Sequence, residues 1–273
     1  MEMRTFRRFL VLALGVAAVA TAVACRPHTM AARPAPDVVP ATGGDITIAP
    51  IAHGTVQVEQ GSHVILVDPT TNAGFDGVSG TLRINYSQLK APTIVLVTDE
   101  HADHYDRALL QSLRRAAGAP PAIVGPAVVA SHVDGAVAIA NGESKVVDGI
   151  AVEAVAMYNT IGQEPFHTKG RGNGYVVTLG GKRLYFAGDT ACTAEMRALK
   201  GIDVAFLPMN LPYTMTPSDA AICAVAFKPA VAYPYHYRGQ DPNRFATTLA
   251  GTGIDVRLRD WYAGTEPFTN SKF

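Results

Sequence analysis

The sequence predicts a layered α/β sandwich that follows an N-terminal targeting segment. Nearly half of the 273 residues are hydrophobic, which is enough to bury a substantial core. After residue 46, short apolar runs of strand length are separated by Gly, Pro and Asp turns. Each half of this region begins with strands and finishes with strand–helix units, a pattern that favours packed layers over separate domains.

Residues 1–24 are predicted to be a signal peptide of the lipoprotein type. The positive stretch MEMRTFRR precedes an apolar run of about sixteen residues, shorter than the ~20 residues of a membrane span. Cys25 follows TAVA in the manner of a bacterial lipobox, so we expect lipid modification there; simple signal-peptidase cleavage is the alternative. Residues 25–45, rich in Pro and Ala, are predicted to be a flexible tether. We therefore expect an exported, periplasmic lipoprotein that meets the membrane only through Cys25.

Residues 46–273 are predicted to form one domain, and its first half is predicted to begin with three strands. The stretch DITIAPIAHGTVQVEQGSHVILVDP breaks at His53-Gly54 and Gly61-Ser62 and ends at Asp68-Pro69. APTIVLVTDE is a continuous apolar run, typical of a central strand buried on both faces. DRALLQSLRRAAG has helical spacing and a Gly stop, and AIVGP and VAIA return to strands.

The second half repeats this order. SKVVDGIAVEAVAMYN and GNGYVVTLGGKRLYFAGDT are predicted strands, the latter with a Gly-Gly hairpin turn, and IDVAFLPMN is another. SDAAICAVAFKP is a predicted helix with Ser218 as N-cap and Pro229 as its stop. AVAYPYHY is a predicted strand, NRFATTLAGTG a helix and IDVRLRDWY a last strand.

Charge and cysteine content set two limits. The chain has 23 basic and 23 acidic residues, so nothing in its charge favours nucleic acid as a partner. Cys192 and Cys223 would form a disulfide in an oxidising compartment if they were close; two buried free thiols are the alternative, and the sequence leaves both open.

The stretch VTDEHADHYD carries the densest chemistry. On an irregular loop after a strand, Asp99, His101, Asp103 and His104 can surround a common point, and these are the side chains that a divalent metal prefers. A solvated turn capped by Asp103 and Asp106 is the alternative. Three further strand ends and loops favour the metal site over the capped turn, because each offers another possible metal ligand. These donors are Asp189 in LYFAGDT, His236 in VAYPYHY and His167 in PFHTKGRGNG.

With these motifs in this order, the chain resembles a metallo-β-lactamase-superfamily hydrolase. The stretch MYNTIGQEPFHTKGRGNGYV is similar to the branch of ascorbate-phosphate lactonases and N-acyl-phosphatidylethanolamine phospholipases. The resemblance implies a four-layer αββα sandwich with two divalent metal ions. One ion would be held by Asp99, His101 and His167, the other by Asp103, His104 and His236, with Asp189 bridging. Tyr158 or Asn159 is the alternative to His167.

Asp99 stands where the superfamily motif has a His. The exchange keeps a ligand and adds a harder, negative donor, so we expect a working site with zinc as the main metal and manganese or iron as alternatives. A single ion in the second set is the fallback. The resemblance also implies that Asp103 orients the attacking water. We expect His53 and Asp68 to orient ligands by hydrogen bonding, with a purely structural turn as the alternative for Asp68-Pro69.

The function implied is an exported hydrolase in which a metal-activated hydroxide attacks an ester, lactone or phosphodiester of a small-molecule or lipid-like substrate. Asp189 argues against β-lactam hydrolysis, because β-lactamases of the superfamily look different at that position. A non-catalytic metal-binding protein on the same fold is the remaining alternative. The candidate substrate contacts are Tyr158, Asn159, Lys169, Arg171, Tyr235 and Tyr237.

Overall fold

Two seven-stranded sheets form the framework of this computed structural model, which describes residues 35–71, 84–116, 118–160 and 166–262. In each sheet the strands lie in the order in which they occur along the chain. The first sheet comprises β1 (Asp37–Val39), β2 (Ile46–Ala52), β3 (Thr55–Gln60), β4 (His63–Val67), β5 (Ile94–Leu96), β6 (Ala122–Gly125) and β7 (Val137–Ala138). Strands β1 to β4 pair antiparallel, as their short turns require, and β4 to β7 pair in parallel.

The second sheet has the same division into antiparallel and parallel parts. It comprises β8 (Ser144–Val147), β9 (Ile150–Met157), β10 (Gly172–Leu179), β11 (Lys182–Phe186), β12 (Val204–Pro208), β13 (Val231–Tyr235) and β14 (Asp255–Val256). Strands β8 to β11 are antiparallel, with the predicted Gly-Gly turn between β10 and β11, and β11 to β14 are parallel. The carboxyl ends of the parallel strands therefore gather at one edge of each sheet.

Helices cover the outer face of both sheets. They are α1 (Arg107–Ala116), α2 (Ala127–Ala130), α3 (Ala194–Arg197), α4 (Pro217–Phe227) and α5 (Pro242–Thr248), and a 3₁₀ turn spans Tyr86–Gln88. Leu110 and Val129 bring α1 and α2 against the first sheet, and Met196, Phe227 and Phe245 bring α3 to α5 against the second. The predicted four-layer αββα sandwich is confirmed.

The main core lies between the two sheets. Rings of Phe186, Phe206 and Tyr233 stack with neighbouring centroids 4.9 Å apart, and Trp261 meets Phe206 edge-on at 6.2 Å. Burying a Phe-sized side chain stabilises the fold by about 1.5–3 kcal/mol, so these stacked rings stabilise the parallel part of the second sheet.

The tether, helix α4 and the last strand differ from the prediction, and the short helices α2 and α3 were not predicted. Residues Asp37–Val39, inside the predicted tether, form β1; Asp37 accepts hydrogen bonds from Tyr233 and Arg259, distant partners that composition cannot reveal. The N-cap of α4 is Thr216 rather than Ser218, because Pro217 suits the first helical position and Thr216 forms a capping box with Asp219. The last strand is only two residues long, since the chain after β14 turns into the core at Trp261.

Cys192 and Cys223 form a disulfide, with their Cα atoms 5.6 Å apart. This resolves the alternative that the sequence left open. The bond ties the segment just after β11 to helix α4, two pieces separated by 31 residues. Among the residues that the structure describes, no helix combines the length and the apolar character needed to cross a membrane.

Candidate metal centre

The seven donor residues predicted from sequence lie together at the strand ends. Asp99, His101, Asp103 and His104 follow β5, Asp189 follows β11, and His236 follows β13. His167 lies five residues before β10, in the connection from β9. Because the carboxyl ends of β5, β11 and β13 face the same edge of the sandwich, four separate parts of the chain meet there.

The loop between β5 and α1 places its side chains without using Asp103 as a helix cap. The backbone N–H groups of His104 and Tyr105 both donate to the His101 carbonyl at 2.9 Å, which curls the loop into a turn. Asp106 caps the helix instead, accepting from the Leu109 N–H at 2.9 Å. Asp103 is thereby left for the site, which argues against the alternative of a simple capped turn.

Asp103, His104 and His236, which we call the inner group, form the buried half of the cluster. The side chains of both histidines are 1% exposed and that of Asp103 is 8% exposed. Asp103 Oδ2 lies 3.4 Å from His236 Nε2 and 3.9 Å from His104 Nε2. Three atoms of the types that zinc prefers as ligands therefore lie within 4.8 Å of one another.

Asp99, His101 and His167, which we call the outer group, form the half nearer to solvent. Asp99 Oδ2 lies 3.5 Å from His167 Nε2 and 3.6 Å from His101 Nδ1, and the two nitrogens are 3.2 Å apart. Asp99 is fully buried, whereas 27% of the His101 side chain is exposed. The grouping is the one implied by the resemblance, with Asp99 in the place of a His.

Asp189 lies between the two groups. Its Oδ2 is 3.2 Å from His104 Nε2 on the inner side and 3.5 Å from His167 Nε2 on the outer side. Its Oδ1 is 3.3 Å from His236 Nε2. One carboxylate thus faces donors of both groups, which is the arrangement needed to bridge two ions.

Several donor atoms in this cluster are buried and unsatisfied. Among the described residues, four nitrogen or oxygen atoms of the cluster make no hydrogen bond of acceptable geometry, although other polar atoms lie within 4 Å of them. These atoms are Asp99 Oδ2, His104 Nε2, Asp189 Oδ1 and His236 Nε2. Buried polar atoms are almost always hydrogen-bonded, so unsatisfied nitrogen and oxygen atoms aimed at one space need another partner. This donor set fits divalent metal ions, with nitrogen suiting zinc or iron and oxygen suiting harder ions.

Hydrogen bonds from outside the cluster fix the inner group. Asp68 Oδ2 lies 2.8 Å from His104 Nδ1, which leaves Nε2 to point into the site. Thr98 donates to both oxygens of Asp68, through its N–H and its hydroxyl, each at 2.7 Å. On the other side, His53 Nε2 contacts Asp103 Oδ2 at 3.2 Å, and the Tyr262 hydroxyl contacts His53 Nδ1 at 2.9 Å.

The backbone is strained where it delivers these side chains. His53, Asp68 and His236 have φ values of 53°, 44° and 48°, in the left-handed region that non-glycine residues rarely adopt. Such conformations cost about 1–3 kcal/mol each and persist where the surroundings impose them, often at functional sites. The His236 N–H donates to the His53 carbonyl at 3.1 Å, which ties two of the strained turns together.

The electrostatics of the inner group follow from burial among carboxylates. Burial alone would lower the pKa of His104, but the surrounding carboxylates of Asp189, Asp103 and Asp68 raise it well above the ordinary value. Burial would raise the pKa of Asp103, but His104 and the other histidines hold it well below the usual range. Burial raises the pKa of Asp68 and lowers that of His53 to about 4.

Close packing beneath Asp189 requires glycine at position 188. Gly188 has a φ of 65°, and a Cβ atom there would lie 2.5 Å from Met157 Sδ and 2.9 Å from Thr98 Cβ. The strand end of β11 therefore lies directly against the loop after β5. This contact brings Asp189 to the donors of that loop.

The predicted substrate contacts all have partners within the protein. Tyr158 donates to Glu195 at 2.8 Å, and Lys169 pairs with the same carboxylate. Asn159 accepts from the His167 N–H at 2.7 Å and donates to the Tyr213 carbonyl, so it supports a member of the outer group.

The other three are also engaged. Arg171 binds Asp99 Oδ1 at 3.1 Å. Tyr235 is buried in the core between the sheets, where its hydroxyl accepts from the Gly188 N–H at 2.8 Å, so it presents no surface to a substrate. Tyr237 donates to the Arg259 carbonyl at 3.1 Å. Cys25 and the signal peptide lie outside the described residues.

Sequence reasoning missed two supports of the site. Tyr262 lies close to the end of the chain, and nothing local links it to His53, 209 residues earlier. Thr98 directly precedes Asp99 in VTDEHADH, and a polar residue at the end of an apolar strand was a signal that could have found it.

Comparisons with known proteins agree with this geometry. Residues 47–236 match the sequence profile described as "Beta-lactamase superfamily domain". A protein of Deinococcus radiodurans described as a UPF0173 metal-dependent hydrolase is 30% identical over 232 residues, covering 79% of this chain and 96% of the relative. A protein of the same description from Pyrobaculum arsenaticum is 33% identical over 211 residues, covering 71% and 87%.

Solved structures show the same fold. A protein from Parabacteroides distasonis, proposed to be a metal-dependent hydrolase, superimposes with a TM-score of 0.74 at 35% identity, covering 82% of this chain and 97% of that one. Igni18, a metallo hydrolase from Ignicoccus hospitalis, gives a TM-score of 0.65 at 24% identity, covering 82% and 99%. At that identity, the likeness to Igni18 speaks for the fold alone.

Proposed function

The chain belongs to the beta-lactamase superfamily and is a metal-dependent hydrolase, and we propose that it is an exported enzyme that cleaves an ester, lactone or phosphodiester bond of a small-molecule or lipid-like substrate. The observation that supports this most strongly is the pair of donor groups joined by Asp189, with buried donor atoms that lack hydrogen bonds. We assign one ion to the outer group, one to the inner group, and Asp189 to both.

The ions would lower the pKa of a bound water toward neutrality and polarise the oxygen of the scissile group. The protein's own contribution is to hold and orient. Asp103 is fixed through Oδ2 by His53 and His236 yet keeps part of its surface exposed, so we assign it the role of orienting the attacking water and accepting its proton. Asp68 and His53 keep the inner group in place during turnover.

Asp189 also bears on the alternatives. A carboxylate facing both groups favours hydrolysis with two ions, and the family resemblance implies that β-lactamases of the superfamily look different at this position. A non-catalytic metal-binding protein would need the same ligands but would have no need to orient Asp103. The hydrogen bonds from Tyr262 through His53 to Asp103 therefore favour an enzyme.

Turnover of a generic substrate panel tests the proposal. The full chain, loaded in turn with Zn²⁺, Mn²⁺ or Fe²⁺, is assayed on bis(p-nitrophenyl) phosphate, p-nitrophenyl esters, lactones and a chromogenic β-lactam. We expect hydrolysis of one of the first three classes with at least one metal. His132→Ala, an exposed histidine outside both groups, should keep the activity, and Asp103→Ala should lose it. Inertness with every metal would favour the binding protein, and cleavage of the β-lactam alone would reverse the substrate assignment.

Two observations support export. The first is the signal-like stretch before Cys25, and the second is the Cys192–Cys223 disulfide, since disulfides persist mainly in oxidising compartments. We therefore propose a periplasmic protein anchored through Cys25. Cys25→Ser should move the protein from the membrane fraction to the soluble fraction and abolish labelling by an alkyne-tagged fatty acid. Soluble, unlabelled wild-type protein in the periplasm would instead support simple signal-peptide cleavage.

A further inference from the structure

The two oxygens of Asp99 have different surroundings. Oδ1 accepts from the Glu100 N–H at 2.5 Å and lies 3.1 Å from Arg171 Nη2. Oδ2 is buried, makes no hydrogen bond within the described residues, and lies 3.6 Å from His101 Nδ1 and 3.5 Å from His167 Nε2. Oδ1 is therefore bonded to other groups of the protein, and Oδ2 is left to bind a metal ion.

Arg171 is itself held at three points. Besides Asp99, its Nε contacts Glu100 Oε1 at 3.2 Å and its Nη1 donates to the Phe166 carbonyl at 2.7 Å. Phe166 directly precedes His167, so one guanidinium joins the loop that carries Asp99 to the segment that carries another outer donor. The planar fork of arginine suits such a fixed, multipoint contact, which a flexible lysine ammonium cannot reproduce.

The negative charge of the cluster also indicates that Arg171 supports Asp99. Asp99, Asp103 and Asp189 bring three carboxylates into one buried cluster. Burying an unpaired carboxylate is unfavourable, and Asp99 adds a negative charge where the superfamily motif has a neutral His. Arg171 offsets that added charge at the oxygen that points away from the donors.

We propose that Arg171 is the positioning residue that makes Asp99 a one-oxygen metal ligand, so that the Asp99–Arg171 pair takes the place of the neutral His. The inference rests on the metal-dependent function proposed above. It also gives Arg171 a role distinct from the substrate contact predicted from sequence. Arg171→Met should therefore weaken the outer ion and leave the inner ion in place.

The first test counts ions and measures their affinity. The full chain is loaded with Zn²⁺ or Mn²⁺, freed of excess metal by gel filtration and analysed by mass spectrometry, and the affinity of each ion is measured by chelator competition. Arg171→Met should weaken the outer ion about 10–100-fold, the usual effect of removing a residue that orients a ligand. Arg171→Lys should recover only part of that loss.

Arg183→Met is the matched control. Arg183 is also partly exposed and bound to a carboxylate, Glu153, but it lies at the end of β11 opposite to Asp189. This variant should keep two ions at wild-type affinity. Two tightly held ions in Arg171→Met, or a raised KM with both ions retained, would overturn the inference while leaving the hydrolase function intact. A wild-type chain that holds no ion would overturn the proposed function, and this inference with it.

A double-mutant cycle separates positioning from a general structural effect. In an Asp99→His background the residue at 99 no longer needs a cation, so adding Arg171→Met should change the outer-ion affinity less than threefold. The same 10–100-fold loss in both backgrounds would mean that Arg171 acts through Phe166 or Glu100 rather than through Asp99, and would refute the pair.

Discussion

The inner and outer groups present three donors each, yet they are supported in different ways. The inner donors are almost completely buried, and their supports, Asp68 and His53, come from the ends of first-sheet strands. The outer group reaches solvent at His101, and its supports, Asn159 and Arg171, come from the connection between β9 and β10. We therefore expect an ion in the inner group to be held more tightly than an ion in the outer group.

The largest expected effect concerns Asp103 of the inner group, to which we assign the role of orienting the attacking water. Asp103→Asn should lower kcat by about 10³-fold, within the range of general acid–base contributions, with a much smaller change in KM. His101→Ala in the outer group should cost less, because the inner ion and Asp103 remain. Steady-state kinetics of the two variants measure the difference. An equal loss in both, or a loss confined to KM in Asp103→Asn, would contradict the division of roles.

The disulfide should have the next largest effect. Cys192 lies three residues after Asp189, and the bond to Cys223 closes a loop across 31 residues. The double variant Cys192→Ser/Cys223→Ser should lower the free energy of unfolding by about 3–4 kcal/mol in urea titration. It should still hold two ions, because the hydrogen bond from the Gly188 N–H to Tyr235 and the close packing of Gly188 on Met157 keep Asp189 in place. Loss of both ions would show that the disulfide holds the site itself.

The support of the inner group gives a smaller effect. Asp68→Asn removes the negative charge that orients His104, so the inner ion should weaken about 10–100-fold in chelator competition, with the outer ion unchanged. The complementary change is Arg171→Met, which should weaken the outer ion alone. If either variant weakened both ions equally, the two groups would be one cooperative unit, and the comparison would fail.

The smallest effect belongs to Tyr262. Tyr262→Phe removes the hydroxyl that contacts His53 Nδ1 and should destabilise the protein by about 0.5–1.5 kcal/mol in thermal unfolding, the usual contribution of a neutral hydrogen bond. Because His53 contacts Asp103, kcat should also fall severalfold while metal content stays the same. Unchanged kcat would limit the role of Tyr262 to stability.

The sequence predicted the parts of this centre that are built from local patterns. Asp99 to His104, Asp189 and His236 follow apolar strands, and their residue types alone indicate a metal site at strand ends. The strand breaks at His53-Gly54 and Gly61-Ser62 were also predictable, because each is a Gly-containing pair that interrupts an apolar run. Their convergence follows from parallel pairing of β11 to β13 and of β4 to β7, whereas the family resemblance implied only the αββα sandwich and its metal centre.

The rest depends on contacts between distant residues. The Arg171–Asp99 pair joins positions 72 residues apart, and an arginine in a basic loop looks the same whether it binds substrate or a carboxylate. Tyr235 looked accessible beside His236, but alternation along β13 turns it into the core. Edge strand β1 and the shortened β14 depend on Asp37 and Trp261 meeting partners far along the chain.

Anomalous diffraction from crystals grown with Zn²⁺ or Mn²⁺ would locate any ion in the two donor groups. We expect two peaks, one coordinated by Asp103, His104 and His236 and one by Asp99 Oδ2, His101 and His167, with Asp189 between them and Zn–N distances of about 2.0–2.1 Å. On back-soaking with a chelator, the outer peak should weaken first. A centre without ions, or an outer ion that bypasses Asp99, would contradict this expectation.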